Sequence, residues 1–128
     1  MPPTTARILL IEDDADLAEV LGMVLTMAGH EVMIATDGAR ALELFAQTIP
    51  EVVLCDVLLP GMGGYELAAR MRERNRMPPP LMIALTGLAG SKDRDRSLAA
   101  GFDHHLVKPF DLAALLRLIG ASLRKDLG

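Results

Sequence analysis

Asp56 closes an apolar run, Val52-Val53-Leu54-Cys55, and is followed at once by Val57-Leu58-Leu59-Pro60-Gly61-Met62-Gly63-Gly64. A carboxylate at the carboxyl end of a buried strand, entering a Pro/Gly-rich loop, points at the crevice where open α/β sheets bind ligands. Three more apolar runs finish on polar groups. Ile8-Leu9-Leu10-Ile11 runs into Glu12-Asp13-Asp14, Leu81-Met82-Ile83-Ala84-Leu85 into Thr86-Gly87, and Leu106-Val107 into Lys108-Pro109. In a parallel sheet all four ends share one edge. That arrangement gathers four acids, a hydroxyl and an ammonium around one site.

The acids set the chemistry. Glu12, Asp13 and Asp56 crowded together repel one another and cannot all ionise cheaply. A divalent cation relieves this, and carboxylates with a backbone carbonyl and waters suit Mg2+. No His or Cys grouping has zinc-like spacing, and the adjacent His104 and His105 point to opposite sides of a strand. Asp14 and Asp16 are read instead as helix N-terminal acids, where negative charge is favourable. Lys108 supplies a cation that forms a structural ion pair or meets a transferred phosphoryl group as a point charge. Lys108–Pro109 is a candidate cis peptide. Thr86 offers a hydroxyl, and Gly87 after it leaves room for a ligand to approach the backbone N–H.

Around these residues strand-like and helix-like blocks alternate, the pattern of a parallel sheet with helices on both faces. Asp16 is placed as the cap of a first helix through Ala28, with Leu17, Val20, Leu21, Val24 and Leu25 at helical spacing and Gly29 as its stop. Val32 to Ala35 forms a second strand. Thr36 or Asp37 caps a helix through Gln47, turning Ala41, Leu42 and Phe45 inward. A third helix is expected from about Gly64 to Arg74, and Pro78-Pro79-Pro80 leads into the fourth strand. The next helix, Ser91 to Ala100, carries Lys92-Asp93-Arg94-Asp95-Arg96, a run read as a solvated face. Asp111 caps the last helix, in which Leu112, Leu115, Leu116, Leu118 and Ile119 pack. Cys55 is read as a buried strand residue. Met23, Met27, Met33, Met71 and Met82 are read as core filling rather than a partner groove.

The chain has 128 residues, the size of one domain, and a formal net charge of -4, which argues against a nucleic-acid surface. No apolar stretch approaches the roughly 20 residues that span a bilayer. The N-terminus lacks the pattern of a secretion signal. A single cysteine fits a reducing cytoplasm. Residues 1–5 are expected to be disordered, residues 6–124 to form the domain, and residues 125–128 to fray.

Arg7-Ile8-Leu9-Leu10-Ile11-Glu12-Asp13-Asp14, Asp56 with Pro60-Gly61-Met62-Gly63-Gly64, Ala84-Leu85-Thr86-Gly87 and Leu106-Val107-Lys108-Pro109-Phe110 together resemble the receiver domain of two-component response regulators. The resemblance implies a flavodoxin-like, doubly wound α/β fold, with five parallel strands in the order 2-1-3-4-5 and five helices. It implies that Asp56 is the phosphoacceptor, taking its phosphoryl group from a phosphohistidine on a histidine kinase or phosphotransfer protein. Asp13 and Asp56 would bind Mg2+ directly, Glu12 through water, and the Leu58 carbonyl would complete the protein ligands. Lys108, the Thr86 hydroxyl and the N–H groups of Leu58 and Gly87 would meet the phosphoryl oxygens. Such a domain catalyses only its own phosphorylation and dephosphorylation.

Thr86 then moves toward the new charge, and a side chain on strand five fills the space. Relatives usually carry an aromatic there; this chain has His105, which is expected to make signalling pH-sensitive between about pH 5 and 8. Leu58 and Leu88 flank the path of attacking water and offer it no hydrogen bond, so slow self-dephosphorylation is expected. The output surface would be the face of helix four, strand five and helix five, with the output partner unidentified. No direct nucleic-acid or membrane contact is implied, and homodimerisation through that face is open to such a domain. Two other readings exist. A haloacid-dehalogenase-type magnesium phosphatase wants a second aspartate two residues after the nucleophile, where Leu58 stands. An interaction domain indifferent to phosphorylation is opposed by the presence of Asp13, Asp56, Thr86 and Lys108. No output domain is read in this chain, which fits a free-standing regulator or a receiver from a hybrid kinase.

Overall fold

The computed structural model describes residues 5–87 and 91–127, with side chains for residues 5–87 and 93–123. Strands and helices alternate as β1 (Arg7–Ile11), α1 (Ala15–Met27), β2 (Glu31–Ala35), α2 (Gly38–Gln47), β3 (Val52–Asp56), α3 (Gly64–Arg72), β4 (Leu81–Thr86), α4 (Ser91–Ala100), β5 (His104–Val107) and α5 (Leu112–Leu127). All strand pairs are parallel, and the sheet order is β2-β1-β3-β4-β5. Leu88 lies outside the described residues.

The pleat explains the two cores. Successive strand side chains point to opposite faces. Leu9, Ile11, Val53, Cys55, Met82 and Ala84 meet Ala41 and Phe45 of α2 and Leu67 and Met71 of α3 on one face. Ile8, Leu10, Leu54, Ile83 and Leu85 meet Leu21 and Leu25 of α1 and Leu115 and Ile119 of α5 on the other. β3 is buried throughout, as an inner strand covered on both faces must be. Cys55 is buried and free, and its thiol is pushed far up by desolvation, then by Asp56 and Glu12.

Several local expectations change. Asp14, not Asp16, caps α1: its carboxylate accepts from the N–H groups of Asp16 and Leu17 at 3.0 and 3.2 Å. Asp14 has the extended backbone that a cap requires, and Asp16 already lies within the first turn. Asp37 caps α2 by accepting from Arg40 N–H at 2.8 Å, and Asp111 accepts from Ala113 N–H at 3.0 Å. α3 ends at Arg72, two residues before its expected end. α5 runs to Leu127, past the expected end of the folded unit at Arg124. Val20, Met23 and Met27 are exposed, whereas Met71 and Met82 are core. Hydrophobic type at helical spacing does not say how wide the buried stripe is, and α1 buries only Ala18, Leu21, Gly22 and Leu25. No helix among the described residues is long and apolar enough to cross a membrane.

Two polar devices lock the end of the sheet opposite Asp56. The Arg72 guanidinium donates to the Gly101 carbonyl at 2.8 Å, the Pro80 carbonyl at 3.1 Å and Asp103 at 2.9 Å; Asp103 in turn accepts from Met82 N–H. One side chain thereby ties α3 to both sheet strands beside it. His30, following the left-handed Gly29, is buried and its Nδ1 accepts from Ala6 N–H at 3.0 Å. Burial lowers the His30 pKa, since desolvation penalises the imidazolium. Protonation would also remove the acceptor. The folded protein therefore binds this proton less readily than the unfolded chain. The resulting stability is present above the ordinary histidine pKa of about 6.5 and is lost as pH falls through the lower folded value. Urea unfolding from pH 7.5 to 5.5 should show falling stability, and His30→Asn, which keeps an acceptor without a titrating ring, should flatten that slope. An identical slope in the variant would remove His30 as its source.

Candidate functional site

Three of the four strands that feed the site, β1, β3 and β5, are each extended by one backbone hydrogen bond. Glu12 N–H donates to the Ala35 carbonyl at 3.0 Å, Val57 N–H to Leu85 at 3.0 Å, and Lys108 N–H to Thr86 at 2.6 Å. These bonds hold Glu12, Asp56, Thr86 and Lys108 along one sheet edge. Gly64 closes the floor. A Cβ there would stand 2.7 Å from both the Asp56 carbonyl oxygen and Val57 Cα, so only glycine lets the start of α3 approach the Asp56 backbone so closely. The sequence reading placed Gly64 at the end of a loop but missed this contact, which depends on where α3 turns.

The charged side chains converge. One carboxylate oxygen from each of Glu12, Asp13 and Asp56 lies within 4.8 Å of the others. Glu12 and Asp56 are buried, at 1 % and 6 % exposure, while Asp13 is exposed and opens the cluster to solvent. Lys108 Nζ lies 3.2 Å from Asp56 Oδ2 and 3.3 Å from Glu12 Oε2. Leu58 N–H donates to Asp56 Oδ1 at 3.0 Å. The Lys108–Pro109 peptide is cis. Asp14 is drawn off to cap α1, so three acids gather here instead of four.

Simple Coulomb terms order these contacts. At an effective dielectric of about 20, two like charges 4.8 Å apart repel by about 3.5 kcal/mol. Each ammonium–carboxylate contact at 3.2–3.3 Å attracts by about 5 kcal/mol on the same scale. Lys108 therefore outweighs the repulsion between Glu12 and Asp56, though desolvation consumes much of the gain. The residue of that conflict is visible in Glu12, whose pKa is pushed up to about 7 by burial first and then by Asp56, against the opposing pull of Lys108. Burial by itself would lower the Lys108 pKa; Asp56 and Glu12 together outweigh it and raise it.

The donor set fits Mg2+. It is all oxygen, it carries more negative charge than one ammonium neutralises, and its exposed side at Asp13 leaves room for the several waters this ion retains.

Thr86 is fully buried at the end of β4, paired in register with Val107, and Gly87 follows it at the surface. His105 pairs with Ala84, so its ring lies on the same sheet face as Thr86. Both His105 ring nitrogens are shut off from solvent and have no hydrogen-bond partner among the described residues. Leu58 is exposed at the site's rim.

A five-stranded doubly wound sheet with this acidic edge and lysine defines a class, the receivers of two-component signalling. The chain belongs to the response regulator receiver domain family, which it matches over residues 8–120. It is 37% identical over 112 residues to an uncharacterized 14.6 kDa protein of Leptolyngbya boryana, covering 88% of this chain and 86% of that one. It is 33% identical over 119 residues to the DNA-binding dual master transcriptional regulator RpaA of Synechocystis, covering 93% of this chain and 49% of RpaA. The chain thus spans about half the length of the transcriptional regulators it matches. Among solved structures, the CheY-like receiver domain protein of Methanospirillum hungatei superposes with a TM-score of 0.86 at 30% identity, covering 93% of this chain and 94% of that one.

Proposed function

We propose that the domain is a phosphorylation switch whose acceptor is Asp56. An Asp56 carboxylate oxygen attacks the phosphorus of a phosphohistidine on a histidine kinase or phosphotransfer protein. The O–P bond forms as the P–N bond breaks, and the bonding pair returns to the partner's imidazole nitrogen. The observation that carries this reading is the ammonium of Lys108 bridging Asp56 and Glu12 while a backbone N–H orients the other Asp56 oxygen.

Phosphoryl transfer asks for positioning and charge neutralisation more than for covalent chemistry. Lys108, already at the nucleophile, can follow charge onto the phosphoryl oxygens. The Thr86 hydroxyl and the N–H groups of Leu58 and Gly87 supply further donors. Mg2+ held by Asp13, Asp56, the Leu58 carbonyl and, through water, Glu12 would add positive charge where the transferred group becomes most anionic. A residue that acted as the second aspartate of a phosphatase would have to stand at Leu58, which can neither give nor take a proton. The domain therefore modifies itself and turns over no free substrate.

The new phosphoryl group draws Thr86 toward it, and His105 responds; its position on the same sheet face, with both ring nitrogens unpaired among the described residues, supports this reading. That rearrangement would alter the surface of α4, β5 and α5 for an output protein in the cytoplasm.

Incubation with acetyl phosphate and Mg2+, followed by intact mass measurement, should add one phosphoryl group to the wild-type chain and none to Asp56→Asn. Addition to both proteins, or to neither, contradicts the assignment. Leu58 and Leu88 cannot orient a hydrolytic water, so Leu58→Asn with Leu88→Glu should shorten the phosphate lifetime by roughly tenfold. An unchanged lifetime would show that neither side chain limits hydrolysis.

A further inference from the structure

Outside the acidic site, an exposed apolar groove lies between α1 and β2. Gly22, Met23 and Met27 of α1 face Val32 and Ile34 of β2 across an open, almost wholly apolar groove of about 490 Å³. Three of these side chains are far from buried: Met23 is 58 % exposed, Met27 84 % and Ile34 42 %. β2 is also an edge of the sheet. The groove lies on the flank of α1 away from Lys108, which instead borders Leu17, Val20 and Leu21 beside Pro109 and Phe110. Neither Lys108 nor any acid of the cluster lines the groove.

Charge says what kind of partner fits. From Ile8 to Ala39 the chain contains no lysine or arginine. Glu19 lines the groove, and Asp14, Asp16 and Asp37 each stand one residue from a lining position, whereas Glu31, next to Val32 on β2, turns to the other sheet face. An apolar trough with an acidic rim is complementary to an apolar ridge with basic flanks. A second copy of this chain related by a two-fold axis would set the same acids against each other. An anionic lipid surface would meet the same repulsion. Most of the wall comes from side chains of α1, which at 13 residues is about 20 Å long. A helix laid alongside it can use its i, i+3, i+4 and i+7 positions as anchors. We propose that the α1–β2 groove is a docking site for an amphipathic helix of a partner protein, apolar on one face and rich in lysine or arginine along its flanks.

The test uses the full chain and two synthetic helical peptides of about 18 residues. They share a leucine face; one has lysine flanks and the other glutamate flanks. The lysine peptide should bind, with amide shifts in NMR spectra clustered at residues 15–36. The glutamate peptide should bind at least about tenfold more weakly. Met23→Ser with Ile34→Ser should cost the lysine peptide about tenfold, whereas Val20→Ser or Ile49→Ser should leave it within about twofold. Asp16→Lys with Glu19→Lys, two exposed changes on α1, should shift preference toward the glutamate peptide. Equal binding of both peptides, shifts centred elsewhere, or indifference to the groove variants would overturn the proposal. So would binding to phosphatidylglycerol vesicles, or a dimer abolished by Met23→Ser with Ile34→Ser; these would assign the groove to lipid or to a second copy.

Discussion

Two buried carboxylates share one ammonium, and the rest of the domain is arranged to make that conflict tolerable. Glu12 and Asp56 end neighbouring strands of a sheet covered on both faces, so their charges are held close together and away from water. Lys108 reaches them from β5, two strands beyond β3 in the sheet. Removing Lys108 leaves two buried carboxylates uncompensated, which is far costlier than the intact group, whereas removing either acid leaves a balanced ion pair. Burial first, and then Asp56, raise the Glu12 pKa against the opposing pull of Lys108. A site left with surplus negative charge is prepared to accept a cation, and a lysine that binds by charge can transfer to a more anionic neighbour.

The scaffold fixes the strand ends while leaving the helices unequally secured. Backbone bonds from Glu12, Val57 and Lys108 extend the ladders to the site. Arg72 ties α3 to the opposite end of the sheet. α4 is held differently. Among its described side chains only Ser97 is buried, and that hydroxyl has no hydrogen-bond partner among the described residues. The Tyr65 hydroxyl donates to the Asp93 carbonyl at 3.4 Å, and the Arg96 guanidinium sits 4.7 Å above the Tyr65 ring. α4 therefore buries little side-chain surface and is held in part by these polar edge contacts.

Strand-level features were legible in the sequence because their signals are local. The runs ending at Ile11, Asp56, Thr86 and Val107 are apolar, bounded by polar residues, and become strands with their polar successors along one edge. Asp56, Glu12, Asp13 and Lys108 come together as expected because parallel order alone aligns those ends. What was not legible depends on geometry across the chain. Which of Asp14 and Asp16 caps α1 turns on a single backbone torsion. Whether Val20, Met23 and Met27 enter the core turns on the width of the stripe that β2 and α5 leave to α1. The close approach at Gly64 and the Arg72 brace involve partners that sequence spacing does not reveal.

The most direct test of the central claim, an acidic cluster under-neutralised by Lys108, is thermal or urea unfolding with and without Mg2+ at neutral pH. Binding to the folded state alone should add about 1.4 kcal/mol when Mg2+ is tenfold above its dissociation constant. The gain should disappear in Asp13→Asn with Asp56→Asn, where the surplus charge is gone. Equal stability of the wild-type chain with and without saturating Mg2+, or an undiminished gain in the double variant, would contradict the account.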